Sequence, residues 1–166
     1  MNTAHISGVH RCNLPFEKPL MAAPAQNLYK RLLIIDDDIE DQEIFMEALK
    51  EVDKTVLCYT AISGEDAFRQ METDVVMLPD LIFLDLNMPK LNGKQVLKEI
   101  KKSRSLSDIP VIMYSTSFAP RDIEEVKESG AAHYLLKPSR FDDLCQALTQ
   151  VLSTNWESAV RGNQPQ

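Results

Sequence analysis

The chain has 166 residues, of which 44% are hydrophobic and 26% are charged, a composition that fits one globular domain with short tails. The net charge is −7 at pH 7 and the acidic excess lies beyond the first segment of the chain, which excludes general nucleic-acid binding as a main role. No apolar run approaches the roughly 18 residues that span a bilayer, so we expect no membrane segment.

Residues 1–28 are expected to form a disordered leader. They contain Pro15, Pro19 and Pro24 among small and polar residues, and they show no sustained hydrophobic period. No apolar segment typical of a secretory signal follows the early charge. The three cysteines are odd in number and widely spaced, so they are better explained as small core residues than as a disulfide or metal framework. We therefore expect a cytoplasmic protein whose folded domain covers residues 29–153.

Four continuous apolar runs predict central strands of a parallel sheet that is covered on both faces. They are Leu32–Ile35, Leu81–Leu84, Val111–Tyr114 and His133–Leu136. The run Val56–Tyr59 predicts a short strand between the first two in sequence. Because segments with a helical period separate the runs, we expect an α/β fold with a doubly wound, five-stranded parallel sheet, a (βα)5 three-layer sandwich.

Apolar residues at three- and four-residue steps predict the helices. The stripes of the first and fifth helices comprise Ile44, Phe45, Ala48, Leu49 and Val52, and Phe141, Leu144, Leu148, Val151 and Leu152. Ser63 and Ser139 each stand three residues before an aspartate, which is the spacing of a capping box at a helix start. Gly130 is suited to end the fourth helix.

Polar side chains follow four of the predicted strands. In chain order they are Asp36 and Asp37, Asp85, Ser115, and Lys137. Ligands of parallel sheets bind at the carboxyl ends of the strands, so these side chains should converge. Crowded carboxylates repel each other unless they share a cation, and oxygen ligands favour Mg²⁺ or Mn²⁺ over Zn²⁺. A carboxylate, a hard cation, an ammonium and a hydroxyl together suit phosphoryl transfer to Asp85.

Each of these residues also has an ordinary structural explanation. The acids at 36–38 could do no more than cap a helix, and Asp38 in particular is placed to do so. Asp85 could be a turn former and Lys137 a solvated loop cation. Their joint placement at four strand ends favours a phosphoacceptor site over these separate explanations.

The chain resembles the receiver domains of two-component response regulators over residues 30–153. The resemblance rests on four segments in the family's order and spacing, Leu33–Asp37, Leu84–Pro89 with Gly93, Pro110–Ser115, and Tyr134–Pro138. It implies the flavodoxin-like receiver fold. It also implies that Asp85 accepts a phosphoryl group from the phosphohistidine of a kinase. A weaker resemblance, carried by Asp85–Lys90 and Ser115–Ser117, is to stand-alone receivers that work with phytochrome-like histidine kinases.

The resemblance implies a metal site and assigns its ligands. Asp36 and Asp37 would hold Mg²⁺ directly or through water, with Mn²⁺ as an alternative. Asp85 would be a further ligand, and Asn87 would supply its backbone carbonyl.

The resemblance also implies how phosphorylation is read out. Lys137 would pair with the phosphoryl group, and Ser115 and Tyr134 would form a switch pair. Asn87 and Ser117 match the two positions that tune dephosphorylation in the family. Ser115 stands where threonine is commoner, so its χ1 angle is less restricted. A cis peptide bond between Lys137 and Pro138 is implied as well.

These features favour a stand-alone response regulator, because only a short tail at residues 154–166 follows the predicted domain and leaves no room for an output domain. A phosphoryl group on Asp85 would draw Ser115 inward, Tyr134 would follow, and the face of the fourth helix, fifth strand and fifth helix would change its partner preference. The expected partners are a sensor histidine kinase and a downstream protein or phosphotransfer partner. A homodimer through the same face stays open.

Two alternatives belong to other functional classes. A binding module that never uses phosphorylation is disfavoured because every expected acidic, hydroxyl and lysine position is filled. A phosphohydrolase working through an aspartyl-phosphate on Asp85 usually carries a second acid two residues later, where this chain has Asn87. We therefore expect a signalling protein with at most slow autodephosphorylation and no enzymatic turnover.

Overall fold

The computed structural model describes residues 27–73 and 78–157, and in these ranges five strands alternate with five helices. The strands are β1 Arg31–Ile35, β2 Leu57–Ala61, β3 Leu81–Leu84, β4 Val111–Ser115 and β5 His133–Leu136. The helices are α1 Ile39–Val52, α2 Gly64–Glu72, α3 Gly93–Lys102, α4 Pro120–Glu128 and α5 Phe141–Ser153. All strand pairs are parallel, in the order β2-β1-β3-β4-β5, which confirms the predicted doubly wound α/β fold. Most of the predicted leader, residues 1–26, lies outside the described residues.

The sheet separates two apolar layers because successive side chains of a strand point to opposite faces. In β1, Leu33 and Ile35 pack with buried residues of α2, α3 and α4. Leu32 and Ile34 pack on the other face with buried residues of α1 and α5. All residues of β3 and β4 are buried, as the continuous apolar runs predicted. The three central strands are therefore fixed by burial on both faces, and their carboxyl ends are held in register.

The prediction that His133–Leu136 is a central strand was wrong. The segment is a strand, but β5 lies at the edge of the sheet, where His133 and Leu136 are exposed. Two apolar residues assigned to helix stripes are also exposed, Ile44 by 47% and Phe141 by 42%. Ile44 stands beside a stripe that Phe45 and its neighbours already fill, and Phe141 is the first residue of α5.

Two of the predicted helix starts are capped as expected and one is not. Asp38 is the N-cap of α1, and the Ser63 hydroxyl accepts a hydrogen bond from the backbone N–H of Asp66 at the start of α2. The predicted cap at Ser139 was wrong, because α5 begins after Arg140 and has no side-chain cap. A serine three residues before an aspartate forms a cap only when the preceding loop places the serine hydroxyl next to the first backbone N–H groups of the helix.

The loop after β3 is pressed against the start of α3. The backbone N–H of Gly93 donates to the carbonyl of Leu86 at 3.0 Å. A Cβ atom at Gly93 would lie 2.1 Å from the carbonyl oxygen of Asp85 and 2.8 Å from the Cα atom of Leu86. No side chain fits in that space, so Gly93 allows the Asp85 backbone to sit directly on the α3 N-terminus.

The two ends of the described chain meet at the opposite, amino-terminal edge of the sheet. The backbone N–H of Leu28 donates to the carbonyl of Leu152 at 2.9 Å. The hydroxyl of Tyr29 donates to the carbonyl of Thr154 and accepts from the backbone N–H of Trp156. The Trp156 ring stacks on His133, with ring centroids 4.9 Å apart.

None of the described helices is long and apolar enough to cross a membrane.

We expect Gly93→Ala to lower the free energy of unfolding by about 2 kcal/mol, because a clash with backbone atoms cannot be relieved by a rotamer change. Lys90→Gly is the contrasting variant in the same loop. Lys90 has a φ of 66°, a left-handed conformation that glycine adopts without strain, so this change should leave stability unchanged or raise it by up to about 1 kcal/mol. Urea denaturation measures both. A Gly93→Ala protein as stable as the wild type would contradict the close approach.

Candidate functional site

Three carboxylates meet at the carboxyl edge of the sheet. Asp36 and Asp37 follow β1 and Asp85 follows β3, and these strands are neighbours with Ile35 opposite Leu84. One oxygen atom from each aspartate lies within 4.8 Å of the others. Such a set of oxygen donors fits a hard divalent cation. The structure thus brings together the three acids that the sequence placed at this edge.

The ammonium of Lys137 reaches this cluster from the end of β5. Its Nζ atom lies 2.7 Å from Oδ2 of Asp36 and 3.7 Å from Oδ1 of Asp85. On the way the side chain passes the end of β4, where Nζ lies 5.2 Å from the centre of the Tyr114 ring. Only 10% of the Lys137 side chain is exposed, so it is nearly as buried as the side chains of Asp36 and Asp85.

Burial and charge act in opposite directions on these groups. Burial raises the pKa of both Asp36 and Asp85, although Lys137 acts to lower them. Burial alone would lower the pKa of Lys137, but hydrogen bonds to Asp36 and Asp41 outweigh it and raise that pKa. Lys137 therefore remains an ammonium at neutral pH. At Lys137 the hydrogen bonds to two acids outweigh burial, whereas at Asp36 burial outweighs the single ammonium, so the pKa values of both groups are raised.

The hydroxyl of Ser115 stands beside the acids at the end of β4. Ser115 is fully buried, and its Oγ atom accepts hydrogen bonds from Nδ2 of Asn87 at 3.3 Å and from the backbone N–H of Ser117 at 3.2 Å. The backbone N–H of Asn87 donates to Oδ2 of Asp85 at 3.2 Å. Asn87 therefore connects the carboxylate to the hydroxyl. The predicted carbonyl ligand of Asn87 and the tuning roles of Asn87 and Ser117 stay predictions.

Tyr134 is half-buried and does not touch Ser115 directly. Its hydroxyl donates a short hydrogen bond to the carbonyl of Ser117, whose own N–H donates to Ser115. The predicted switch pair is thus linked through the backbone of one intervening residue. A shift of the Ser115 hydroxyl would move Ser117, and with it the acceptor of Tyr134.

The predicted cis peptide bond between Lys137 and Pro138 was wrong, since no peptide bond in the described ranges is cis. The backbone N–H of Lys137 donates to the carbonyl of Ser115 at 2.8 Å, which continues the pairing of β4 and β5 by one residue. The trans form is the intrinsically preferred one, by about 0.5–1 kcal/mol for a bond to proline.

Two further residues of this edge were not predicted from the sequence. Asp41, in the first turn of α1, lies 2.7 Å from the Lys137 ammonium. Gln42 is buried, and its Nε2 atom donates to the carbonyls of Asp36 at 2.6 Å and Ala61 at 3.1 Å. An N-cap at Asp38 indicates that both residues lie close to the end of β1, but it does not reveal the distant Lys137 that Asp41 contacts.

Comparison with known proteins decides the family. Residues 32–149 match the family model described as the response regulator receiver domain.

The chain belongs to the response regulator receiver family.

Among curated proteins, the receiver is 32% identical to response regulator Rcp1 of Synechocystis, over 79% of this chain and 91% of that protein. It is 30% identical to the two-component response regulator ORR12 of Oryza sativa, over 72% of this chain and 96% of that protein. It is 32% identical over 71% of this chain to a Bacillus subtilis protein named "Probable C4-dicarboxylate response regulator DctR", and the match spans only 50% of that longer protein.

Solved receiver structures share the fold. The Mn²⁺-bound form of Rcp1 is 31% identical, with a TM-score of 0.65, over 74% of this chain and 91% of that one. The phosphorylated cyanobacterial phytochrome response regulator RcpA is 32% identical, with a TM-score of 0.67, over the same shares of the two chains. The receiver therefore resembles response regulators that include a cyanobacterial phytochrome response regulator, and its acidic cluster fits a divalent metal site.

We expect Lys137→Met to lower the free energy of unfolding at pH 7 by about 3 kcal/mol in the presence of a chelator, because Asp36 is left buried without its cation. Mg²⁺ should then stabilise the variant more than the wild type, since a bound cation replaces the lost charge. Lys102→Met is the control. Lys102 pairs with Glu99 while its side chain is 71% exposed, so its loss should cost less than about 1 kcal/mol.

Urea denaturation with chelator and with Mg²⁺ measures these differences for the three proteins. Equal stabilisation of wild type and Lys137→Met by Mg²⁺ would contradict the charge balance described here.

Proposed function

We propose that this receiver accepts a phosphoryl group on Asp85 from the phosphohistidine of a sensor histidine kinase. The observation that carries the proposal is the position of the Asp85 carboxylate. It lies within 4.8 Å of oxygen atoms of Asp36 and Asp37 and 3.7 Å from the Lys137 ammonium. Negative charge that develops on a transferring phosphoryl group would therefore face positive charge on two sides once a cation is bound.

In the transfer, a carboxylate oxygen of Asp85 attacks phosphorus while the phosphorus–nitrogen bond to the histidine breaks. The bonding electron pair leaves with the imidazole nitrogen. Asp36, Asp37, Asp85 and the carbonyl of Asn87 would hold the metal, for which we propose Mg²⁺ with Mn²⁺ as an alternative. When bound, the cation would offset charge on the phosphoryl oxygens. Lys137 supplies the second compensating charge.

The signal would pass from the Ser115 hydroxyl to Tyr134 through Ser117. The Ser115 hydroxyl would donate a hydrogen bond to a phosphoryl oxygen. Its movement toward that oxygen would break the hydrogen bonds that it accepts from Asn87 and Ser117, and displacement of Ser117 would release Tyr134. Tyr134 lies on β5, which forms the output face with α4 and α5, so its release would change the binding of a downstream protein or phosphotransfer partner. A homodimer through the same face is compatible with this mechanism.

Hydrolysis of the aspartyl-phosphate would be slow. Asn87 stands two residues after Asp85 where a phosphohydrolase carries a general acid–base, and an amide cannot move a proton in that role. Asn87 and Ser117 would instead set the access of water to the phosphoryl group. We propose a cytoplasmic location, which is compatible with the free thiols of Cys58 and Cys145.

Incubation with acetyl phosphate and Mg²⁺, followed by intact mass spectrometry, tests the phosphoacceptor. We expect one phosphoryl adduct on the wild type, none on Asp85→Asn, and none when a chelator removes the cation. Asp143→Asn is the control, because Asp143 is exposed on the first turn of α5, and it should gain the adduct as the wild type does.

An unmodified wild-type protein that also fails to bind Mg²⁺ and beryllofluoride would favour the phosphorylation-independent binding module. An adduct that persists in Asp85→Asn would place the acceptor on another residue.

A further inference from the structure

Lys137 has a second carboxylate partner that lies outside the metal cluster. Its Nζ atom is 2.7 Å from Oδ2 of Asp36 and also 2.7 Å from Oδ2 of Asp41. The distance to the Asp85 oxygen is 3.7 Å, which is too long for a hydrogen bond. The ammonium is therefore held by two short contacts, one to Asp36 after β1 and one to Asp41 in α1, and its contact with the proposed acceptor is the longest of the three.

The two partners of Lys137 differ in their surroundings. The Asp36 side chain is 1% exposed, so it has no water to replace a lost ammonium. The Asp41 side chain is 38% exposed, and water can solvate its carboxylate when the ammonium leaves. Of the two hydrogen bonds, the one to Asp41 therefore costs less free energy to break.

The phosphoryl group needs the same ammonium. An ammonium has three donors, and two of them are directed at Asp36 and Asp41 in the resting receiver. Only one donor is left for an acceptor at Asp85, whereas a phosphoryl group there presents several charged oxygens, so a closer approach of the ammonium to them would weaken its hydrogen bond to Asp41. Asp41 and the phosphoryl group are thus rival acceptors for one buried cation.

We propose that Asp41 is a positioning residue that restrains Lys137 in the resting receiver and competes with the phosphoryl group for it. This inference rests on the proposed role of Asp85 and adds a residue that sets how strongly the site holds a phosphoryl group. Loss of the Asp41 carboxylate removes the competitor. The variant should therefore bind a phosphoryl mimic more tightly, while most losses of a contact at a binding site weaken binding.

A general electrostatic effect must be separated from the direct contact. Removing any nearby negative charge favours an anionic ligand and disfavours Mg²⁺. Glu40 precedes Asp41 in the same helical turn and is exposed, and no contact of its side chain with Lys137 is recorded among the described residues. Glu40→Gln is therefore the matched control for Asp41→Asn. Asp41→Glu tests whether a restored carboxylate restores the restraint.

Two dissociation constants are measured for each protein by isothermal titration calorimetry, that of Mg²⁺ alone and that of beryllofluoride at saturating Mg²⁺. The ¹⁹F NMR signal of the bound mimic provides a spectroscopic check. We expect Asp41→Asn to bind beryllofluoride about fivefold more tightly than the wild type, the size expected for losing a partly exposed ion pair. Glu40→Gln should change this affinity less than about twofold, and Asp41→Glu should return toward the wild type.

The two affinities identify which idea fails. If Asp41→Asn binds beryllofluoride as the wild type does, or more weakly, Asp41 does not compete for Lys137. Equal gains in Asp41→Asn and Glu40→Gln would assign the effect to charge alone and overturn the proposal. A wild-type protein that binds no beryllofluoride at saturating Mg²⁺ would instead refute the phosphoacceptor role of Asp85.

Discussion

The site depends on one buried cation shared among carboxylates from different parts of the chain. Lys137 comes from the end of the edge strand β5, whereas Asp36 follows β1, and the two are 101 residues apart in sequence. Without the ammonium, the acids would repel each other in a setting that water cannot screen. One ammonium does not neutralise all of these carboxylates, so this edge of the sheet keeps an excess of negative charge that a divalent ion can neutralise. The same arrangement that fits a divalent metal therefore also limits repulsion among the acids of the unliganded fold.

The precision of this edge comes from the backbone. Parallel pairing sets Ile35 opposite Leu84, which places the two acids that follow these strands side by side. The absence of a side chain at Gly93 lets the Asp85 loop rest on α3. Gln42 donates hydrogen bonds to the carbonyls of Asp36 and Ala61 at the ends of β1 and β2, so both of these carbonyls have a donor. The functional side chains thus project from strand ends that are themselves held by hydrogen bonds.

Much of this arrangement could be predicted from the sequence, because a strand that is buried on both faces is a continuous apolar run. Continuous apolar runs gave β1, β3 and β4, and the polar residue after each run gave its contribution to the site. The position of β5 at the edge could not be obtained this way, because strand order depends on crossovers between distant segments. The contact of Asp41 with Lys137 was missed for the same reason, as it joins residues 96 apart. The cap expected at Ser139 failed because local spacing does not fix the path of the preceding loop.

The contact between Tyr29 and Trp156, near the two ends of the described part of the chain, has a practical consequence. They lie at the amino-terminal edge of the sheet, separated from the carboxylates by the length of β1, which is about 15 Å for five residues. This exceeds the screening length of about 8 Å at physiological ionic strength. A charged fluorophore or a fused reporter attached to a solvent-exposed position at that edge would interact only weakly with the site. The fold therefore offers an attachment point for building a biosensor without altering the chemistry that it reports.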